Sequence, residues 1–136
     1  MQIFVINLAS AIERRKLQEV QLTKLGLEYS ILNALSVSDI NEATYKKHYF
    51  DWQRPLIKTE VACYFSHRSA WEKVIKNKKP ALILEDDAIL SKTLPELLIS
   101  LSDIKNADLI NLENRSRKKF VSNLYVDIGC NSKLLR

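Results

Sequence analysis

The chain has 136 residues, near the commonest size for one domain, and its 46% apolar and 27% charged composition excludes low-complexity or charge-driven disorder. No apolar run approaches the roughly 18–20 residues of a membrane span, so a cytosolic protein with one core is expected. A net charge of +5, gathered at Arg14 to Lys16, Lys46 and Lys47, Lys76 to Lys79 and Arg115 to Lys119, suits an anionic partner. Charge alone leaves a nucleotide diphosphate, a phosphorylated glycolipid, an acidic membrane surface and nucleic acid all open.

Gln2 to Leu8 (QIFVINL) is a nearly continuous apolar run, which predicts a strand buried on both faces. Ser10 to Glu13 has capping-box spacing, so a helix is expected to about Leu25, closed by Gly26 in a left-handed conformation. Alternation over Leu27, Tyr29 and Ile31 predicts a second strand ending near Asn33. Asp39 to Tyr49 reads as a short helix, and Gln53, Arg54 and Pro55 as a break.

Between Thr59 and Asn77 apolar residues recur at three- and four-residue steps (Val61, Tyr64, Phe65, Trp71, Val74, Ile75), which predicts a longer helix. Its apolar arc is centred between Tyr64 and Phe65, with Arg68 inside the arc and His67 on its flank. Ala81 to Leu84 is a further buried strand, and Leu94 to about Ser102 a helix with Pro95 in its first turn. Asp108 to Leu112 is the last strand expected. Strands alternating with helices indicate an α/β fold with a mainly parallel sheet.

Three features carry chemistry. Glu85, Asp86 and Asp87 follow directly on a buried strand, at the end where open α/β sheets bind ligands. Three adjacent carboxylates repel one another, and a divalent cation such as magnesium or manganese answers their charge and can bridge them to a diphosphate. Continued extension would turn Glu85 and Asp87 to one side and Asp86 to the other. His67 suits a phosphate or sugar hydroxyl, and Arg68 a carboxylate near the same edge. Asn7, at the end of the first strand, offers a donor and an acceptor, with Arg14 and Arg15 as phosphate forks in the helix beyond. Each has a plainer structural alternative: a solvated acidic loop, a satisfied histidine beside a snorkelling arginine, and a turn asparagine beside a basic helix face. Cys63 and Cys130 lack the spacing of a zinc motif or a disulfide framework and read as free thiols.

In this order, "FVINLASAIERR", "EVACYFSHRSAWEKVI" and "ALILEDDAIL", with "DLINLE" after them, resemble the successive signatures of glycosyltransferase family 25. The resemblance implies an incomplete GT-A-like, Rossmann-like α/β/α sandwich in which residues 1–136 form a single donor-binding domain. It implies metal-assisted, inverting transfer of a hexose, galactose foremost, from a UDP-sugar to a lipooligosaccharide acceptor, with Mn2+ or Mg2+ as cofactor. It also implies cytosolic action with peripheral contact at the inner membrane, and no nucleic-acid partner.

Carried over residue by residue, Asn7, Arg14 and Arg15 match the first motif, Ser66 and His67 the second, with Arg68 beside them, and Glu85, Asp86 and Asp87 the third. Asp87 and Glu85 are the expected metal ligands; Glu113 is nominated as base and Asp108 as its support. The chain departs from the family in reading "NALSVSD" where a short Ala-x-Asp-Gly is usual. Family members continue well beyond this length, so an inactive fragment that binds nucleotide is the alternative expected. "LILEDDAIL" also resembles the acidic strand of a receiver domain, but too little chain follows to complete one.

Overall fold

The structure is a computed structural model and describes residues 1–113, 121–129 and 132–135. The chain divides into two compact units, Met1–Leu90 and Ser91–Arg136.

The first unit is built on a three-stranded parallel sheet in the order β2-β1-β3, with β1 at Gln2–Asn7, β2 at Ser30–Asn33 and β3 at Ala81–Glu85. β1 is central, and Ile3, Phe4, Val5 and Ile6 are all buried although they alternate between the faces of the sheet. Both faces are therefore covered. The chain leaves β1 through helix α1 (Ile12–Lys24) to β2, then crosses through α2 (Glu42–His48) and α3 (Lys58–Asn77) to β3 on the other side. Both α1 and α3 pack against β1, and the right-handed crossovers that parallel strands favour, run in opposite directions, put such helices on opposite faces. This supports an α/β fold compatible with a Rossmann-like arrangement.

Helix α1 closes as its sequence predicts. Gly26 has φ 65°, and the Leu27 amide donates to the Leu22 carbonyl at 3.0 Å, satisfying a carbonyl the helix leaves free. The start differs from the expected capping box: Ala11 is the cap residue and no side chain caps the helix. A tight turn, with the Ala11 amide on the Leu8 carbonyl at 2.8 Å, makes the entry instead. Because Gly26 and Leu27 complete the helix end, β2 begins at Ser30, later than alternation suggested.

The short helix expected over Asp39 to Tyr49 is present as α2 but starts later, at Glu42. A 3-10 turn at Val37–Asp39 is followed by α2, whose start is fixed by Asn41 accepting from the Thr44 amide at 2.8 Å. Asp39 accepts from both the hydroxyl and the amide of Ser36, which holds its carboxyl below the usual range.

Helix α3 buries Val61, Ala62, Ser66 and Ala70. This corrects the predicted arc: Tyr64 and Trp71 are exposed at 43% and 42%, and Arg68 is on the surface. Small residues face the sheet while the large aromatics lie outside, an arrangement that apolar periodicity does not distinguish from its reverse. Val61 and Ala62 pack with Ile40, Tyr45, Leu56 and Phe65.

In the second unit α4 spans Leu94–Ser102 and buries Leu94, Leu98 and Leu101, with Pro95 in its first turn. Strands β4 (Tyr125–Asp127) and β5 (Lys133–Leu135) pair antiparallel. The strand expected at Asp108 to Leu112 is absent: those residues make no ladder, and Leu109 is 82% exposed. The basic cluster at Arg115 to Lys119 and Cys130 lie outside the described residues. Among the described residues no helix is long and apolar enough to cross a membrane.

Candidate functional site

The register of the sheet builds the site. β1 pairs with β3 from Gln2 opposite Ala81 to Ile6 opposite Glu85, so the next residues, Asn7 and Asp86, emerge side by side at the carboxyl edge. Strand order reverses between these two strands, because β2 lies on one side of β1 and β3 on the other. Ligands of open α/β sheets bind in the crevice at this point.

Asn7 and Asp86 are both buried, at 2% and 6% exposure, and the Asn7 amide donates to Asp86 Oδ2 at 2.7 Å. The same Asn7 nitrogen reaches the Ala11 carbonyl at 3.2 Å. Arg14 Nη1 lies 3.1 Å from Asp86 Oδ1, with its own side chain half exposed. Asp86 is thus spoken for on both oxygens.

The loop after Asp86 is held by two glutamines one turn apart on α1. Gln18 donates to the Asp86 and Ala88 carbonyls at 3.2 and 2.6 Å, and Gln21 donates to the Ala88 carbonyl at 3.0 Å while accepting from the Leu90 amide at 2.9 Å. Gln18 is fully buried. These clamps were hidden in the sequence within a helix read for its basic face; the spacing of three residues between two glutamines was their only sign.

The three carboxylates have separate fates. The strand ends at Glu85, and Asp86 and Asp87 enter a turn with the Ala88 amide on the Glu85 carbonyl at 3.2 Å. Strict alternation therefore does not apply, yet Glu85 and Asp87 are exposed and Asp86 is buried between them. Glu85 meets His67, whose Nε2 is 3.1 Å from Oε1. The carboxylates left for an ion are the two exposed ones, Glu85, with one oxygen on His67, and Asp87. Such a set fits magnesium or manganese, hard cations that take one or two carboxylates, keep several waters and complete their shell with phosphate oxygens.

Within the first unit, Arg15, Arg68 and Ser66 have partners away from this edge. Arg15 pairs with Glu19 at 2.8 Å along its own helix, and Arg68 pairs with Glu72 at 3.0 Å rather than with a carboxylate at the sheet edge. Ser66 is buried and faces inward: its hydroxyl donates to the Ala62 carbonyl and accepts from the Leu35 amide, both at 2.8 Å. It ties the exit of β2 to α3. Asp108 and Glu113 belong to the second unit and are exposed, the Glu113 amide donating to Asn111 Oδ1 at 2.7 Å.

One turn before His67, Cys63 is exposed on the same side of α3, and its sulfur, a His67 ring nitrogen and a Glu85 oxygen lie within 4.8 Å of one another. Partial burial of the thiol, with Glu85 and Glu60 nearby, pushes its pKa up. Cys63 is a free thiol, as its spacing suggested; the cluster was not legible because its third member comes from a strand 22 residues on.

A family model described as glycosyltransferase family 25 (LPS biosynthesis protein) matches residues 1–131. The chain is 28% identical over 122 residues to procollagen galactosyltransferase 2 of Homo sapiens, an alignment covering 82% of this chain and 19% of that protein. It is 30% identical over 95 residues to a glycosyltransferase 25 family member of Aedes aegypti, covering 62% of this chain and 16% of the relative. It is also 30% identical over 96 residues to the probable inactive glycosyltransferase 25 family member 3 of Rattus norvegicus, covering 63% and 17%. The chain spans less than a fifth of the length of these relatives.

Proposed function

The chain belongs to glycosyltransferase family 25, and on that premise we propose that its carboxyl sheet edge is the donor-nucleotide site of a hexosyltransferase with a GT-A-type fold. The donor is a UDP-sugar, UDP-galactose foremost, and the acceptor a hydroxyl of a lipooligosaccharide. The observation that carries this reading is the separation of roles among three adjacent carboxylates. Asp86 is buried and bound by Asn7 and Arg14, while Glu85 and Asp87 are left exposed at the strand-order reversal.

Glu85 and Asp87 would hold Mn2+ or Mg2+, which supplies charge neutralisation for the diphosphate as it departs. The chain's own residues do the rest of the donor work. Arg14, half exposed and anchored through Asp86, presents its remaining N–H groups to phosphate. His67 holds Glu85 by one oxygen and leaves the other for the ion. Gln18 and Gln21 fix the turn that carries Asp87. Transfer with inversion needs a carboxylate to take the acceptor proton as the hydroxyl attacks the anomeric carbon and the bond to UDP breaks. Residues 1–90 assign no such base; Glu113, supported by Asp108, is the sequence's nomination.

A second reading is favoured by one observation: one relative, at 30% identity over 96 residues, carries the name of a probable inactive family member. In it the site binds UDP and metal without turnover. The working location proposed is the cytosolic side of the inner membrane, with basic clusters facing acidic lipid.

Incubation with UDP-galactose and Mn2+, with and without a lipooligosaccharide or a procollagen-derived collagen peptide, tests the proposal. Lipooligosaccharide-dependent UDP release supports it. Release on the collagen peptide alone replaces the acceptor, and metal-dependent binding without release selects the second reading.

A further inference from the structure

We propose that Cys63, His67 and Glu85 form a separate site for zinc, or a divalent ion of similar affinity for sulfur, with three protein ligands and a solvent-facing fourth position. The inference does not depend on the transferase reading, although the two sites share Glu85.

The geometry comes from two elements. Cys63 and His67 stand four residues apart on α3, the spacing that stacks side chains on one helix face. Glu85 closes the set from the carboxyl end of β3. Tetrahedral zinc with bonds of about 2.0–2.3 Å sets its ligand atoms about 3.3–3.8 Å apart. The His67 and Glu85 atoms are already 3.1 Å apart, and all three ligand atoms lie within 4.8 Å, close to the spacing that one ion requires.

The donor chemistry differs from that of the acidic edge. Thiolate and imidazole select zinc over magnesium or manganese, which prefer oxygen. Glu85 disfavours the Cys63 thiolate while no cation is near, and becomes its co-ligand when one is. Binding displaces the thiol proton to solvent, with His67 neutral and Glu85 ionised, and involves no redox change. The solvent exposure of Cys63 and Glu85 gives the ion an entry path and a water for the fourth position. Zinc so held pins α3 to the end of β3 and draws on the carboxylate that the donor metal would use.

Cobalt titration of the reduced protein, followed by thiolate-to-cobalt charge-transfer absorption, tests the site. The expected result is one ion per chain with the charge-transfer band. Cys63→Ser should abolish the band, and both Cys63→Ser and His67→Gln should weaken zinc by at least about tenfold in competition with a chromogenic chelator. Asp87→Ala should leave zinc affinity unchanged. Absence of the band in the parent chain, its persistence in Cys63→Ser, or equal zinc loss in Asp87→Ala would each overturn the proposal. In the parent chain, absence of Mn2+-dependent UDP binding with zinc bound as expected would count against the donor site alone, and absence of zinc binding with that UDP binding present against this site alone.

Discussion

Asn7 and Asp86, 79 residues apart in the chain, meet in a buried 2.7 Å hydrogen bond that joins the carboxyl ends of the two strands flanking the candidate site. The bond does structural work for a functional end. It turns one of three adjacent acidic groups inward and leaves its neighbours at the surface.

Replacing Asn7 by Ala leaves a buried carboxylate short of a donor, which should destabilise the fold by about 2 kcal/mol. Arg14→Gln removes a partner that is half exposed and should cost less than about 1 kcal/mol. Urea denaturation of the two variants checks the order; an equal or reversed ranking contradicts the burial argument.

Ser66 offers a second structural test. Its hydroxyl is the acceptor for the Leu35 amide and is itself satisfied by the Ala62 carbonyl. Ser66→Ala strands the amide and should lower stability by about 1–3 kcal/mol. Hydrogen exchange at Leu35 should quicken in step with that loss, whereas a binding-only role for Ser66 would leave both unchanged.

The entry to α3 should respond to acid. Glu60 accepts from Arg54 and from the Ile57 amide, which lowers its pKa to about 2 from 4.5. A depressed carboxyl pKa means the folded state is favoured above the unfolded value, and the contribution is lost as pH falls through about 2. Carbon-detected NMR titration of Glu60 should show the low midpoint, and Arg54→Gln should move it back toward 4.5. A midpoint already near 4.5 in the parent chain would contradict the pairing.

Much of the fold was legible because strong patterns carried it. The apolar runs at Gln2 to Leu8 and Ala81 to Leu84 became adjacent parallel strands, and Gly26 closed α1 as only a residue tolerant of positive φ does readily. What escaped depended on partners distant in sequence. Asp108 to Leu112 has strand composition but makes no ladder. The buried face of α3 was displaced from its aromatic arc because Ala62, Ser66 and Ala70 permit close approach where Tyr64 and Trp71 do not. Alternation could not sort Glu85, Asp86 and Asp87, since the strand stops at the first of them. The cluster of Cys63 and His67 with Glu85 was invisible for the same reason, as a helix periodicity says nothing of which strand end it meets.

The site account turns on Asp87, which is exposed and sits outside the buried bonds that hold the turn. A surface substitution of this kind changes stability by no more than about 0.5 kcal/mol. Calorimetric titration of UDP into the chain with Mn2+, then with chelator, and again for Asp87→Ala, addresses it most directly. The account predicts binding that requires metal and disappears in Asp87→Ala while the melting temperature holds. UDP affinity that is the same with chelator, or undiminished in the variant, would contradict it.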